Sequence, residues 1–116
     1  AYVQNKIRLA VGSGSVRLFR NNTGALLDMQ GRLVKFGLCK GSSDLIGFRS
    51  ITITPDMVGQ KIAVFSAIEV KDKGKATVEQ KNFINIINNA GGYAGVAKNV
   101  NDAKKILYMD KKYCGK

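Results

Sequence analysis

Apolar and polar positions alternate along Ser15–Arg20, with Val16, Leu18 and Arg20 on one face and Arg17 and Phe19 on the other. That two-residue period predicts a strand. Before it, residues 2–11 read as a short helix, apolar at Tyr2, Val3, Ile7, Leu9 and Ala10, with Lys6 and Arg8 interspersed and Gly12-Ser13-Gly14 as its stop. Asn21-Asn22-Thr23-Gly24 reads as a turn. Over residues 25–41 the periodicity is broken by Asp28, Gly31 and Gly37, which predicts an irregular connection with short extended pieces around Leu33–Phe36. Asp44–Phe48 reads as a short strand. Arg49–Thr54 alternates and pairs with it or continues past a bend. Pro55-Asp56 and Gly59 mark a connection before a long strand, Lys61–Val70. Both faces of that run are largely apolar as far as Ile68, the pattern of a central strand covered on both sides.

The next element has a defined start. Thr77-x-x-Gln80 is a capping-box pattern. Phe83, Ile84, Ile86, Ile87 and Ala90 supply an apolar helix face, and Asn88-Asn89-Ala90-Gly91-Gly92 ends it. Tyr93–Ala97 is a short apolar strand with Gly95 inside it, and residues 100–110 form a last helix with Ala103, Ile106, Leu107 and Met109 inward. Strand, helix, strand in succession predicts a crossover unit with parallel strands. The expected class is α/β, a central mixed β-sheet flanked by helices, in a single domain spanning residues 1–116 without repeats or low-complexity segments.

Charge changes the picture more than composition does. Nineteen Lys and Arg stand against eight Asp and Glu, a net charge of +11. The excess is spread along the chain, heaviest in residues 1–50 and 98–116, on both sides of the apolar run that ends at Ile68. Such a surface suits a polyanion through counterion release, so nucleic acid is the expected partner. The plainer reading is that the lysines serve solubility. With no His and two Cys, Cys39 and Cys114, the usual zinc sites and His-dependent catalysis are excluded. The cysteines do not form a disulfide framework, so a reduced, cytoplasmic setting is expected, with a single bridge as the alternative. No apolar run reaches the ~20 residues of a membrane span, and the start lacks a signal-peptide pattern. The lack of an initiator Met is expected to reflect trimming or absent upstream residues.

Charge enters the apolar run only at its end, as Glu69-Val70-Lys71. Strand parity points Glu69 and Lys71 the same way. Taken alone, the pair reads as a solvated ion contact at a strand end. Asp44, on a neighbouring strand, supplies a second carboxylate. Two converging carboxylates make a hard oxygen site for Mg²⁺, and a lysine beside it orients water or a phosphate oxygen. That is the minimum set for cleaving a phosphodiester.

Gly41-Ser42-Ser43-Asp44-Leu45-Ile46-Gly47, then Ala67-Ile68-Glu69-Val70-Lys71, Gly74-Lys75, Glu79-Gln80-Lys81-Asn82-Phe83 and Gly91-Gly92-Tyr93-Ala94-Gly95-Val96-Ala97 resemble the virus-type replication–repair nuclease domain, the VRR-NUC family. The resemblance spans roughly residues 15–103. It implies the restriction-endonuclease-like PD-(D/E)XK fold. Asp44 and Glu69 are then metal ligands, with the Val70 carbonyl a third oxygen. Lys71 orients the attacking water and stabilises transition-state charge. Gln80 matches the glutamine of a Gln-x-x-Phe/Trp element and sits beside Lys71, and as the third helical residue it also partners Thr77 in the cap. Phe83 reads as core, and Asp28, Asp72 and Glu79 as solvated.

Two departures stand out. Ser43 replaces the proline of the family motif, and residues 1–27 contain no acid, although family members often carry a glutamate in the first helix. Either that acid lies upstream of Ala1 or the site works without it; Gln4 is polar but a poor metal ligand. The resemblance implies a Mg²⁺-dependent endonuclease, with Mn²⁺ substituting and no small-molecule cofactor. It is expected to cut branched DNA such as four-way (Holliday) junctions as a homodimer, in a bacterial or phage-infected cytoplasm. The alternative is a basic nucleic-acid-binding module with an inactive or vestigial site. A sequence-specific restriction-type nuclease is a third reading, disfavoured because no base-reading element is visible.

Overall fold

A computed structural model describes residues 2–108. The chain is a small mixed α/β protein. In order it runs α1 (Tyr2–Val11), β1 (Val16–Arg20), β2 (Gly24–Leu27), β3 (Leu33–Phe36), β4 (Leu45–Arg49), a 3-10 turn (Pro55–Met57), β5 (Ser66–Val70), α2 (Val78–Asn89), β6 (Tyr93–Ala97) and α3 (Val100–Tyr108). It divides into two compact units, Ala1–Ile51 and Thr52–Lys116. Met109 and Asp110, the expected end of the last helix, lie outside the described residues, as does Cys114.

In the first unit, β1 and β4 pair antiparallel, Val16 against Arg49 through Arg20 against Leu45. Phe19 and Phe48 lie on one face, ring centroids 6.4 Å apart. A Cβ at Gly47 would stand 1.8 Å from the Arg17 carbonyl oxygen, so the close approach of β1 requires glycine there. Ser50 N–H donates to the Ser15 carbonyl at 2.8 Å, the last rung of this pair. The expected strand over Arg49–Thr54 therefore stops at Arg49. Its partner begins only after Gly12-Ser13-Gly14, and extended backbone without a partner makes no ladder.

The expected irregular connection over residues 25–41 is instead a hairpin, β2 antiparallel to β3, with Gly24 opposite Phe36 and Leu27 opposite Leu33. Its turn is built by Asp28. The Asp28 carbonyl accepts from Gly31 N–H at 3.0 Å, and Gly31 sits at φ 78°. Asp28 Oδ1 also accepts from the Gln30 and Arg32 amides at 2.9 and 2.8 Å, and Oδ2 lies 3.0 Å from Arg32 Nε. This is the three-residue hairpin loop that pairs a type I turn with a left-handed glycine. Asp28, expected to be solvated, holds the turn.

In the second unit, β5 and β6 pair in parallel, Ser66 against Tyr93 through Val70 against Ala97, as the crossover pattern predicts. Helix α2 has both halves of its capping box: Thr77 Oγ1 accepts from Gln80 N–H at 3.1 Å, and Gln80 Oε1 accepts from Thr77 N–H at 2.9 Å. Its other end closes through Gly91 at φ 101°, with Gly91 N–H bonded to the Asn88 carbonyl and Gly92 N–H to the Ile87 carbonyl. Helix α3 is capped by Asn99, whose side chain accepts from Asp102 N–H at 2.9 Å, while Asp102 accepts from Lys98 N–H at 3.0 Å. Helix α3 seats Ile106 over Gly95, where a Cβ would meet the Ile106 side chain at 2.9 Å. The buried core, Ile87 and Ala97, lies in this unit.

The expected long strand Lys61–Val70 is five residues, Ser66–Val70, and it is not covered on both sides: Val70, like Ile62 and Val64 before the strand, is exposed. Its length is set by β6. The first rung is Tyr93 N–H to the Phe65 carbonyl at 3.0 Å, and β6 cannot reach further back because Gly92 ends the helical turn there. Among the described residues the strands form three two-stranded sheets, β1–β4, β2–β3 and β5–β6, in place of one central sheet. No helix among them is long and apolar enough to cross a membrane.

Candidate active site

The end of β5 carries three of the predicted site residues. Parallel pairing places Ala97 opposite Val70, and Lys71 N–H extends the ladder to the Ala97 carbonyl at 3.0 Å. The backbone of Lys71 is thus held, although the residue lies one past the strand. The odd-numbered residues of β5 make the rungs, so the Val70 carbonyl points away from β6. Glu69 and Lys71 share a face, and Lys71 Nζ lies 3.7 Å from Glu69 Oε2. Their side chains are 32% and 22% exposed, so solvent and ligands reach both. Ile68 and Gly95 are register partners on the opposite face, where Ile106 packs. Helix α3 therefore lies behind the charged pair.

Gln80 is in the first turn of α2, half-buried, with its side-chain oxygen committed to Thr77. Its capping role is realised, and the side-chain amide nitrogen takes no part in it. Phe83, expected in the core, is 38% exposed.

Asp44 belongs to the first unit. It is exposed, immediately before β4, and its carbonyl accepts from Asn21 N–H at 2.8 Å, one rung beyond the β1–β4 register. The loop leading to it is gathered by one side chain. Asn21 Nδ2 donates to Ser42 Oγ at 2.7 Å and to the Ser43 carbonyl at 2.9 Å, and Asn21 Oδ1 accepts from Leu38 N–H at 3.0 Å. Ser42 Oγ in turn donates to the Cys39 carbonyl at 2.6 Å. Sequence reasoning took Asn21 for a turn residue and missed this role; the only available signal was an Asn at a strand end, which is common to turns. Asn88 was likewise read only as a helix terminus. It bonds both backbone groups of Ala94, each at 2.9 Å, on the edge of β6 that β5 does not use.

Three other acids have structural partners: Asp28 in its hairpin turn, Asp56 with the Thr54 hydroxyl, and Asp102 at the α3 cap. Among the described residues no three His, Cys, Asp or Glu form a group that could hold a metal. The donors in hand at β5 are a carboxylate and a main-chain carbonyl, hard oxygens of the kind Mg²⁺ takes. No family model matches the chain, and no curated protein or solved structure matches it significantly.

Proposed function

We propose that the protein is a metal-dependent, structure-selective DNA endonuclease of PD-(D/E)XK type that acts as a homodimer on branched DNA, four-way junctions included. The observation that carries this reading is the Glu69–Lys71 pair, held on one face at the end of a parallel strand that leads into a capped helix. In this reading Glu69 and the Val70 carbonyl would hold Mg²⁺ or Mn²⁺, and Asp44 is the further ligand that the resemblance to the VRR-NUC family implies. The ion, when bound, neutralises the scissile phosphate and acidifies a water. Lys71 places its ammonium beside Glu69, orients the attacking water and stabilises charge gathering on the phosphate oxygens. Gln80 Nε2 is the donor left to position that water or the phosphate. The basic side chains Arg17, Lys35, Lys40, Lys75 and Lys81 hold phosphates without reading bases, which favours shape over sequence in substrate choice.

The test is cleavage of a four-way junction, a flap and plain duplex side by side, with and without Mg²⁺. Cleavage that needs metal and is lost in Lys71→Ala and Asp44→Ala, with DNA binding retained, supports the enzyme. Cleavage retained in both variants sinks the assigned site. A second reading, a DNA-binding module without catalysis, is favoured by the net charge of +11, which needs no site at all. It expects binding that weakens with salt at about −0.9 in log–log slope per phosphate contacted, and no cleavage of any substrate.

A further inference from the structure

We propose that α1 and β1 together form an anion site, built by Arg8, Arg20 and Asn5, that takes one backbone phosphate of a nucleic acid. Helix α1 packs on β1 with its polar side. Gln4, Asn5 and Arg8 share one helical face and are half-buried, as is Gly12 one turn on, while Val3, Ile7, Leu9 and Val11 are exposed. Apolar burial does not explain that seating, since the apolar stripe is the one left in solvent. The polar stripe meets β1 through Arg20, whose Nη2 donates to Asn5 Oδ1. Asn5 and Arg8 are three residues apart, neighbours on the helix surface, so the two guanidiniums flank the same turn of α1.

One atom singles out the ligand. Arg8 Nε is buried, and no acceptor meets it among the described residues. A guanidinium is always charged, and a charged donor kept dry and unbonded carries its full desolvation penalty. The protein supplies no counter-charge here. Residues 1–27 contain no acid, and Asp28 is held by its own turn and by Arg32 at 3.0 Å. Among the described residues the ion pairs are Arg32–Asp28 and Lys71–Glu69, so Asp44 pairs with neither Arg8 nor Arg20. Phosphate fits the gap, because the edge of a guanidinium offers Nε and one Nη as parallel donors to two oxygens. The cationic face runs on past the site: Arg49 is the register partner of Val16, and Val16, Leu18 and Arg20 share strand parity. A line of exposed arginines beside the site, in a chain of net charge +11, selects a polyanion over a free phosphate. The inference rests on the nucleic-acid partner in the proposed function and is independent of its metal chemistry.

The experiment is NMR of the arginine Nε–Hε groups in the unmodified full chain, titrated with inorganic phosphate, with NaCl at matched ionic strength, and with a short DNA duplex. The expected result is a saturable shift of the Arg8 signal with phosphate and with DNA, none with NaCl, and displacement of phosphate by DNA. In parallel, junction binding is measured against salt for Arg8→Gln, Arg20→Gln, Arg8→Lys and Lys6→Gln, with circular dichroism as the check on folding. Lys6 is the control on the same helix, its ammonium 5.5 Å from the centroid of the Tyr2 ring. Arg8→Gln and Arg20→Gln are each expected to weaken binding about 10-fold and to flatten the log–log salt slope by about 0.9, the share of one phosphate. Arg8→Lys keeps the charge but lacks the fork, and is expected to weaken binding as well. An Arg8 signal that ignores phosphate, or answers NaCl equally, overturns the proposal. So does bound phosphate that DNA does not displace, which makes the site one for a free phosphate. Lys6→Gln as costly as Arg8→Gln overturns it too, by reducing the effect to net charge. If the variants do not fold, the titration decides. A chain that cuts no substrate can still pass every arm of this test, and metal-dependent cleavage can survive its failure, so the two failures are distinguishable.

Discussion

The first unit, through Ile51, contains two antiparallel strand pairs and one helix, and none of its described residues is buried. The second, from Thr52, sets two helices on a parallel strand pair and buries Ile87 and Ala97. Side-chain-to-backbone hydrogen bonds do much of the work in the first: Asn21 gathers the loop before Asp44, and Asp28 closes the hairpin. In the second, caps end the helices and close packing at Gly95 and Gly92 joins them to the sheet. The difference follows from connection type. A parallel pair needs a crossover helix, and that helix brings an apolar face to the strands. A hairpin brings only its own two strands, whose side chains must find cover elsewhere. The Glu69–Lys71 pair on the second unit therefore stands on backbone with packing behind it, whereas Asp44 depends on a hydrogen-bonded loop.

The largest expected effect tests whether chemistry belongs to one unit or both. Lys71→Ala and Glu69→Ala are expected to lower junction cleavage by about 10²–10³-fold. Asp44→Ala is expected to do the same. Full activity in Asp44→Ala alone, measured by the same assay, confines the site to the second unit and breaks the proposed ligand set.

The next contrast is stability. Ile87→Ala removes the side chain that is 0% exposed and is expected to cost about 2–5 kcal/mol in urea denaturation. Val3→Ala on α1, where the side chain is 64% exposed, is expected to change stability by no more than about 0.5 kcal/mol. Equal effects at the two positions would erase the distinction between the units.

Smaller effects probe the polar scaffolds. Asn21→Ala removes three side-chain hydrogen bonds, two of them exposed so that water replaces the lost partner, at a cost of about 1–2 kcal/mol. Faster amide exchange at Leu38 is the local readout. The smallest is Thr77→Ala, expected to cost about 1 kcal/mol of α2 stability through the lost cap. A larger loss there would mean that Gln80, released from Thr77, matters beyond the helix start.

Much of the second unit was legible in the sequence. Thr77 and Gln80 announced the helix start, Gly91 its end, and strand–helix–strand order the parallel pair. The shared face of Glu69 and Lys71 followed from parity alone. The hairpin is not legible as one, because Asp28, Gly31 and Gly37 interrupt the alternation that marks a strand. Asp28 and Gly31 are the turn, and Gly37, at φ 84°, closes the far end. The capping of α3 was present as Asn99 and Asp102 but went unread, since Asp at the third position is a weaker signal than Gln or Glu. The site is legible as chemistry, a carboxylate and a lysine two apart; the loop that carries Asp44 is not, since Asn21 acts on residues 17 to 22 positions away.

Sequence by itself determined the α/β class, the helices with both ends of α2, and which side chains of β1 and β5 share a face. A helix satisfies its backbone within four residues, and strand alternation is a property of the extended chain, so both are written locally. Tertiary structure alone decided how long each strand is and which polar side chains serve as scaffold. A rung needs a partner from elsewhere in the chain: β5 lasts only as long as β6, β4 ends where β1 begins, and Asn21 and Asn88 are structural only because distant backbone groups come to them.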